Sequence, residues 1–241
     1  MRQLKSEGFE IENRKSKIEN ALFLFVFLVL AIPGCSTPSH AITRIGGYQA
    51  SLASADPPTL APITPARTAA DRIVNRAKDE ARRNVDYDAS YQRISYPGGD
   101  VAADRGACTD LVIRSLRAAG IDLQKRLHED MAAHYDRYPH DWEPRRPDTN
   151  IDHRRVPNLM VYFKRHARTL TNRTDNESLS TWHPGDIVCW SLGGGLYHCG
   201  IISNVVNSKG VPLVLHNIGK ARQEDCLTQW QILAHFRCPA H

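Results

Sequence analysis

The spacing of apolar residues changes once along this chain. From residue 68 to about 168 they recur at three- and four-residue intervals, and from Pro184 onward they fall in short runs. The first spacing lines one face of a helix and the second builds strands. Thr68 predicts an N-cap for a helix through about Arg83, with Ile73, Ala77 and Ala81 on one stripe. A second helix is predicted from about Cys108, carrying Leu111, Val112, Leu116 and Ala119, with Gly120 as its stop. Helical spacing returns at about 125–137 (Leu127, Met131, Tyr135) and 156–168 (Leu159, Tyr162, Phe163, His166), around a Pro- and Arg-rich loop from Trp142 to Pro157. Strand-like runs follow at Asp186–Trp190, His198–Val206, Val211–His216 and Ile232–Arg237, separated by Gly193-Gly194-Gly195 and Ser208-Lys209-Gly210. Helices first and strands second predict an α+β domain with an antiparallel sheet.

The N-terminal region has a different character. Residues 21–33 form an apolar run preceded by Arg14, Lys15 and Lys17. Thirteen residues are short for a bilayer span and suit the hydrophobic core of a signal peptide. Ile32-Pro33-Gly34-Cys35-Ser36 follows at once and resembles a bacterial lipobox, which implies acylation of Cys35. Residues 36–67 are small, polar and proline-punctuated, without helical or strand period, and read as a tether. The expected organisation is therefore a lipoprotein-type signal peptide over 1–34, a tether over 35–67 and a domain over 68–241. Export places the domain at the periplasmic face of a bacterial membrane, in a disulfide-permissive compartment.

Composition narrows the functional classes. Thirty-one basic residues against 26 acidic ones give a net charge of +5, and they are interspersed rather than gathered in a basic block. No run interleaves Lys or Arg with aromatics, so nucleic-acid binding is not expected. There is no P-loop, no Gly-x-Gly-x-x-Gly, no Cys-x-x-Cys and no His-Glu-x-x-His string. No nucleotide cofactor and no metal are expected.

Candidate chemistry begins at Cys108. A thiol at a helix start feels the positive end of the helix dipole, which favours the reactive thiolate. His198 opens a strand after a flexible glycine run, with small Gly200 beside it, and can present its imidazole to that helix end. His216-Asn217 closes the next strand, and a polar side chain there can orient the far nitrogen of His198. In a regular strand His216 faces His198 and Asn217 points to the opposite face. The turn Asp104-Arg105-Gly106 is a candidate source of oxyanion-stabilising N–H groups. Asn150-Ile151-Asp152-His153-Arg154-Arg155 gathers charge suited to the carboxylates of a peptide substrate, or to a loop pinned by its own ion pairs. With Cys35 and Cys108 set aside, Cys189, Cys199, Cys226 and Cys238 remain. An even set suggests disulfides, Cys226–Cys238 foremost and Cys189–Cys199 second, or else four buried thiols. Alternation with His198 predicts that Cys199 faces away from the site.

The order helix-borne Cys, strand His-x-Gly-Ile and a His on the following strand is similar to the NlpC-type papain-like cysteine peptidases of bacterial cell walls. More specifically, Tyr96-Pro97-Gly98-Gly99-Asp100-Val101, Asp104-Arg105-Gly106-Ala107-Cys108-Thr109-Asp110, Asn150 to Asn158, Pro184-Gly185-Asp186 and Val214-Leu215-His216-Asn217-Ile218-Gly219 resemble the hallmark strings of an uncharacterised family of exported bacterial proteins within that superfamily. The resemblance covers about residues 70–237. It implies a papain-like fold, with the Cys-bearing helix packed on a C-terminal antiparallel sheet. It also implies Cys108 as nucleophile, His198 as base and His216 as third member. Asp104, Arg105, Asp152, His153, Arg154, Arg155 and Asn217 are the candidate substrate contacts. Cys189 and Cys199 stand where aliphatic or small residues are expected. The implied activity is amide hydrolysis in the cell envelope, most readily of peptidoglycan stem peptides, with the membrane engaged through the lipid anchor. The alternatives are a hydrolase of another amide or ester and a non-catalytic envelope lipoprotein that uses the fold for binding.

Overall fold

A computed structural model describes residue 60, residues 62–63, residues 65–142 and residues 146–238. The expected signal peptide, the expected lipidation site Cys35 and most of the expected tether lie outside the described residues. Helix α1 (Ala69–Arg82) starts at Thr68, whose side chain accepts the Asp71 N–H while the Asp71 carboxylate accepts the Thr68 N–H. This capping box fixes the first turn, and Ile73, Val74, Ala77 and Ala81 are then buried on one face. Two-residue strands β1 (Asp86–Tyr87) and β2 (Arg105–Gly106) bracket the loop that leads to helix α2 (Cys108–Ala118). Helix α2 stops where Gly120 adopts a φ of 85°, a conformation that costs glycine nothing. Helix α3 (Leu123–Ala133) and helix α4 (Val156–His166) complete the helical half. The predicted third helix breaks at His134, and Tyr135–Arg137 continues as a separate 3-10 turn. A short strand β3 (Arg168–Leu170) and a four-residue helix α5 (Asn176–Leu179) lead into the sheet.

The strands of the C-terminal half are β4 (Ile187–Gly193), β5 (Leu196–Val206), β6 (Pro212–Ile218), β7 (Lys220–Glu224) and β8 (Gln231–Arg237). The sheet order is β2-β1-β7-β6-β5-β4-β8-β3. All neighbours pair antiparallel except β1 and β2, so the molecule is a mixed α+β domain built on six antiparallel strands with a small parallel extension. One face of the sheet packs on the helices, with Ile187, Cys189, Cys199, Ile201, Leu215 and Phe236 in the same core as α1, α2 and α4. The other face carries Val188, Trp190, Ile202 and Val214 under Trp182 and Leu227. This two-sided burial explains why β4 to β6 read as nearly continuous apolar runs. Strand β7 was not legible because only Ala221 and Gln223 of its five residues point inward, and neither marks a strand. No helix among the described residues is long and apolar enough to cross a membrane.

Candidate functional site

Three buried clamps hold the start of α2. Arg114 on α2 pairs with Glu80 of α1 at 3.0 Å and donates to the carbonyls of Val101, Ala102 and Arg105, so it ties down the preceding loop. Arg154 pairs with Asp110 at 2.9 Å and also donates to the carbonyls of Asp88 and Ser90. The Asp110 carboxylate in turn accepts the Ala107 N–H at 2.6 Å, which caps the helix one residue before Cys108. Asn217 completes the set, its amide donating to the carbonyls of Gly106 (2.9 Å) and Val85 (3.2 Å). Cys108 therefore stands at a helix N-terminus whose position is over-determined.

A diagonal line of side chains crosses three strands on one face of the sheet. Gly200 of β5 lies opposite His216 of β6, and His216 lies opposite Arg222 of β7. His198 and Glu224 are each displaced by two residues from those partners, which keeps both on the face of His216. His198 Nε2 is 2.8 Å from His216 Nδ1, and His216 Nε2 is 2.9 Å from Glu224 Oε2. Arg222 donates to the same carboxylate oxygen at 2.8 Å. Gly200 makes this approach possible: a Cβ there would sit 2.7 Å from Val214 Cγ1 and 3.1 Å from His216 Cβ. Trp190, the cross-strand partner of His198, stacks on its imidazole at 5.5 Å between centroids, and Trp230 meets both histidines edge-on.

Electrostatics divides this line into distinct protonation states. Burial pushes His216 down to about 4, against the opposing pull of Glu224, so it is neutral near pH 7. The hydrogen bond from His216 is the main influence on Glu224 and holds its carboxyl down at about 2. At the other end the Cys108 thiol is held well below its ordinary range. The largest cause is the hydrogen bond with the Cys199 thiol, followed by the His198 imidazole, and together they outweigh burial. Cys199 is pushed up in turn, by its hydrogen bond with Cys108 and by burial. Tyr87, half exposed on β1, is pushed up to about 12 by burial and by the neighbouring sulfurs.

Several expectations are corrected. Cys199 does not face away from Cys108. The pleat does turn it from the His198 face, but that turn is toward α2, which packs on β5 there. Cys108, Cys189, Cys199, Cys226 and Cys238 are all free thiols, so neither expected disulfide is present. Cys189 and Cys199 are cross-strand partners, whereas Cys226 packs on the far face of the sheet and Cys238 against the helix-side core. Asp152, His153 and Arg154 are buried rather than open to substrate. Asp152 accepts the Asp148 N–H and pairs with Arg155, and Arg154 is the clamp on Asp110. Arg155 lies 4.3 Å over the Trp142 ring, beside a recess of about 10 Å³ that Trp142, Tyr135 and Met131 line, room for no more than a water. Asn217 is buried on backbone carbonyls. In the Asp104-Arg105-Gly106 turn the two named side chains are exposed and paired with each other, and the Arg105 N–H is committed to the Ala102 carbonyl. The turn aims the helix.

Glu224, Trp190, Trp230 and Tyr87 carry no sequence signal as site residues, and Cys226 is expected there only as a disulfide partner. Register and turn geometry reveal them, since each reaches the site from a neighbouring strand or turn. His216 Nε2, a Glu224 oxygen and Cys226 Sγ lie within 4.8 Å of one another, a donor set of the kind cations take. Here the carboxylate is already satisfied by His216 and Arg222, and burial keeps the Cys226 thiol protonated. The cluster reads as the rear of the proton chain.

These features define an α+β protein with buried Cys108, His198 and His216 at a helix–sheet junction and a partly exposed Glu224 behind them. The chain belongs to the family described as a domain of unknown function, DUF1287, whose model matches residues 74–238. It is 45% identical over 182 residues to the uncharacterized protein YijF of Escherichia coli strain K12, covering 75% of this chain and 86% of that protein. No solved structure matches.

Proposed function

We propose that this chain is a cysteine hydrolase of the papain-like, NlpC-type superfamily that cleaves an amide bond in the bacterial cell envelope. The observation that carries the reading is the line His198–His216–Glu224, joined at 2.8 and 2.9 Å, with a helix-start thiol whose ionisation the His198 imidazole favours. Cys108 attacks the carbonyl carbon as thiolate, and His198 delivers the proton to the departing amine. Water then releases the thioester with His198 as base. His216 holds the His198 ring by its far nitrogen, the orienting role of a third triad member. Peptidoglycan stem peptides are the substrate class we favour. The charged string at 150–155 braces the domain and is not assigned to substrate. Export and acylation of Cys35 complete the proposal, with the enzyme tethered at the periplasmic face of a membrane.

The test is digestion of purified peptidoglycan by the full chain and by Cys108→Ala, with products resolved by mass. Cleaved stem peptides are expected from the first and none from the second. Equal products from both would overturn the mechanism. One observation favours a second reading, in which the fold serves binding alone. Cys108 is only 5% exposed and His198 only 2%. Alkylation of Cys108 by a small thiol reagent in the native protein separates the two, since a buried, non-catalytic thiol stays unlabelled.

A further inference from the structure

A histidine beside a thiol is a base only if the nitrogen that faces the thiol can take a proton. Which nitrogen that is depends on what lies behind it. His198 Nε2 faces His216 Nδ1 at 2.8 Å, so Nδ1 is the nitrogen left for Cys108. Two imidazole nitrogens at that distance share one hydrogen, and the pair alone could place it on either side. The choice is made at the far end. Glu224 Oε2, 2.9 Å from His216 Nε2, belongs to an ionised carboxylate and can only accept.

We infer that Glu224 is a positioning residue that sets the order of protons through both rings, as a fourth member behind Cys108, His198 and His216. Its carboxylate requires a hydrogen on His216 Nε2. A neutral His216 then has a bare Nδ1, which requires a hydrogen on His198 Nε2. That leaves His198 Nδ1 as the nitrogen that gains and returns the Cys108 proton. The opposite order would put a hydrogen on His198 Nδ1 at rest and leave the thiol without a base. Arg222 holds the carboxylate in place through its 2.8 Å hydrogen bond to the same oxygen. The position suits a set-point device, because the Glu224 side chain is about one-third exposed (36%) while His216 is fully enclosed. Proton order is thus dictated from a partly solvated strand into a dry site.

Glu224→Gln is the informative change, because it keeps shape and presents an amide that donates as well as accepts. In the full chain, nitrogen-15 NMR of the two rings reports the tautomers directly. The native protein is expected to carry hydrogen on Nε2 of both His198 and His216. The variant is expected to show a second population with hydrogen on His216 Nδ1. Arg222→Gln, which keeps the carboxylate, is expected to retain the native order. A second readout is alkylation of Cys108 against pH, followed by mass at its peptide. The groups facing this pathway are Cys199 and His198 from β5, Tyr87 from β1, Asp110 from α2, Glu224 and Arg222 from β7, and Cys226 from the turn beyond. Loss of the Glu224 charge is expected to move the profile up by about one pH unit, so labelling near neutrality slows roughly tenfold. Turnover is expected to fall roughly 10- to 100-fold, the range seen when a partner behind a functional histidine is lost.

The inference is overturned if Glu224→Gln leaves Nε2 protonated on both rings with an unchanged alkylation profile. Its consequence for catalysis rests on the hydrolase reading, but the tautomer does not. A shifted order with no peptidoglycan cleavage even in the native protein would retain the inference and reject the hydrolase.

Discussion

Two histidine–carboxylate pairs with the same 2.9 Å separation sit in this sheet, and only one is joined to a second imidazole. On β6 His216 binds Glu224, and on β8 His235 binds Asp186. Both lie beside tryptophan, since Trp190 stacks on His198 and Trp182 stacks on His235 at 3.7 Å. The difference lies at the other ring nitrogen. His235 Nδ1 meets the Thr171 carbonyl at 2.7 Å, so both its nitrogens are taken up by oxygen partners. Asp186 is likewise enclosed, by Arg237 at 2.7 Å and by the His183 N–H at 2.8 Å. Every group in that cluster has a fixed partner. The His216 pair instead passes its order to a second imidazole that ends at a sulfur. A histidine–carboxylate pair is therefore no sign of catalysis on its own. An unfinished end beside a thiol, the nucleophile of the proposed hydrolase, is what distinguishes the two.

The largest effect expected from this contrast is on stability at the closed cluster. Burial alone would raise the Asp186 carboxyl, yet Arg237 and His235 hold it below its usual range. Asp186→Ala leaves Arg237 without its anion and His235 without its carboxylate partner. Removing one member of a buried ion pair typically costs about 3–5 kcal/mol. Urea unfolding of the full chain should show a loss of that order. A loss under about 1 kcal/mol would mean that the cluster is not the brace described here.

The mirror experiment at the open array should cost rate instead. His216→Ala leaves Cys108 and His198 in place but frees the imidazole to turn. Hydrolysis should fall roughly a hundredfold or more, short of the complete loss expected for Cys108→Ala. The equivalent change at His235 should leave the rate of the folded fraction unchanged while lowering stability. If His216→Ala and His235→Ala reduced kcat equally, the division between the two clusters would fail.

Much of this arrangement was legible before any coordinates, and the limits follow from physics. Thr68, Cys108 and Gly120 mark helix ends through capping and dipole rules that act within a few residues. The strands of His198 and His216 announce themselves because both faces are buried. Alternation then placed His216 toward His198 and Asn217 away from it, on the Gly106 carbonyl. The same rule misjudged Cys199, because alternation assigns a face but not what packs there. Glu224 was invisible for a related reason. Its strand has no apolar period, and its partner is fixed only by the β6–β7 register. The string at 150–155 was ambiguous because charged residues look alike on a surface and in a buried clamp, and burial of Asp152, His153 and Arg154 decided it.

Per pH unit the smallest expected change is a two-stage response to acid, which separates the histidines from the carboxylates. His216 is held down to about 4 and His153 to about 3, in both cases chiefly by burial. An unfolded histidine titrates near 6.5, so between these values the unfolded chain binds more protons than the folded one. Stability therefore rises with pH in that window. The contribution is complete above about pH 6.5 and is lost as pH falls through about 4, with a slope of up to about 1.4 kcal/mol per pH unit for each histidine. The carboxylates act later. Glu224, held at about 2, and Asp186, held below its usual range, contribute stability present above the unfolded carboxyl value near 4 and lost below it. Urea midpoints measured from pH 7 down to pH 3 should thus fall in two stages, the first beginning near pH 6.5. Replacing His153 by Gln should make the first stage shallower, leaving the His216 share, and leave the second. A curve that stays level down to pH 4.5 would show that these histidines are not held neutral by burial, and the proton order drawn through His216 would lose its physical basis.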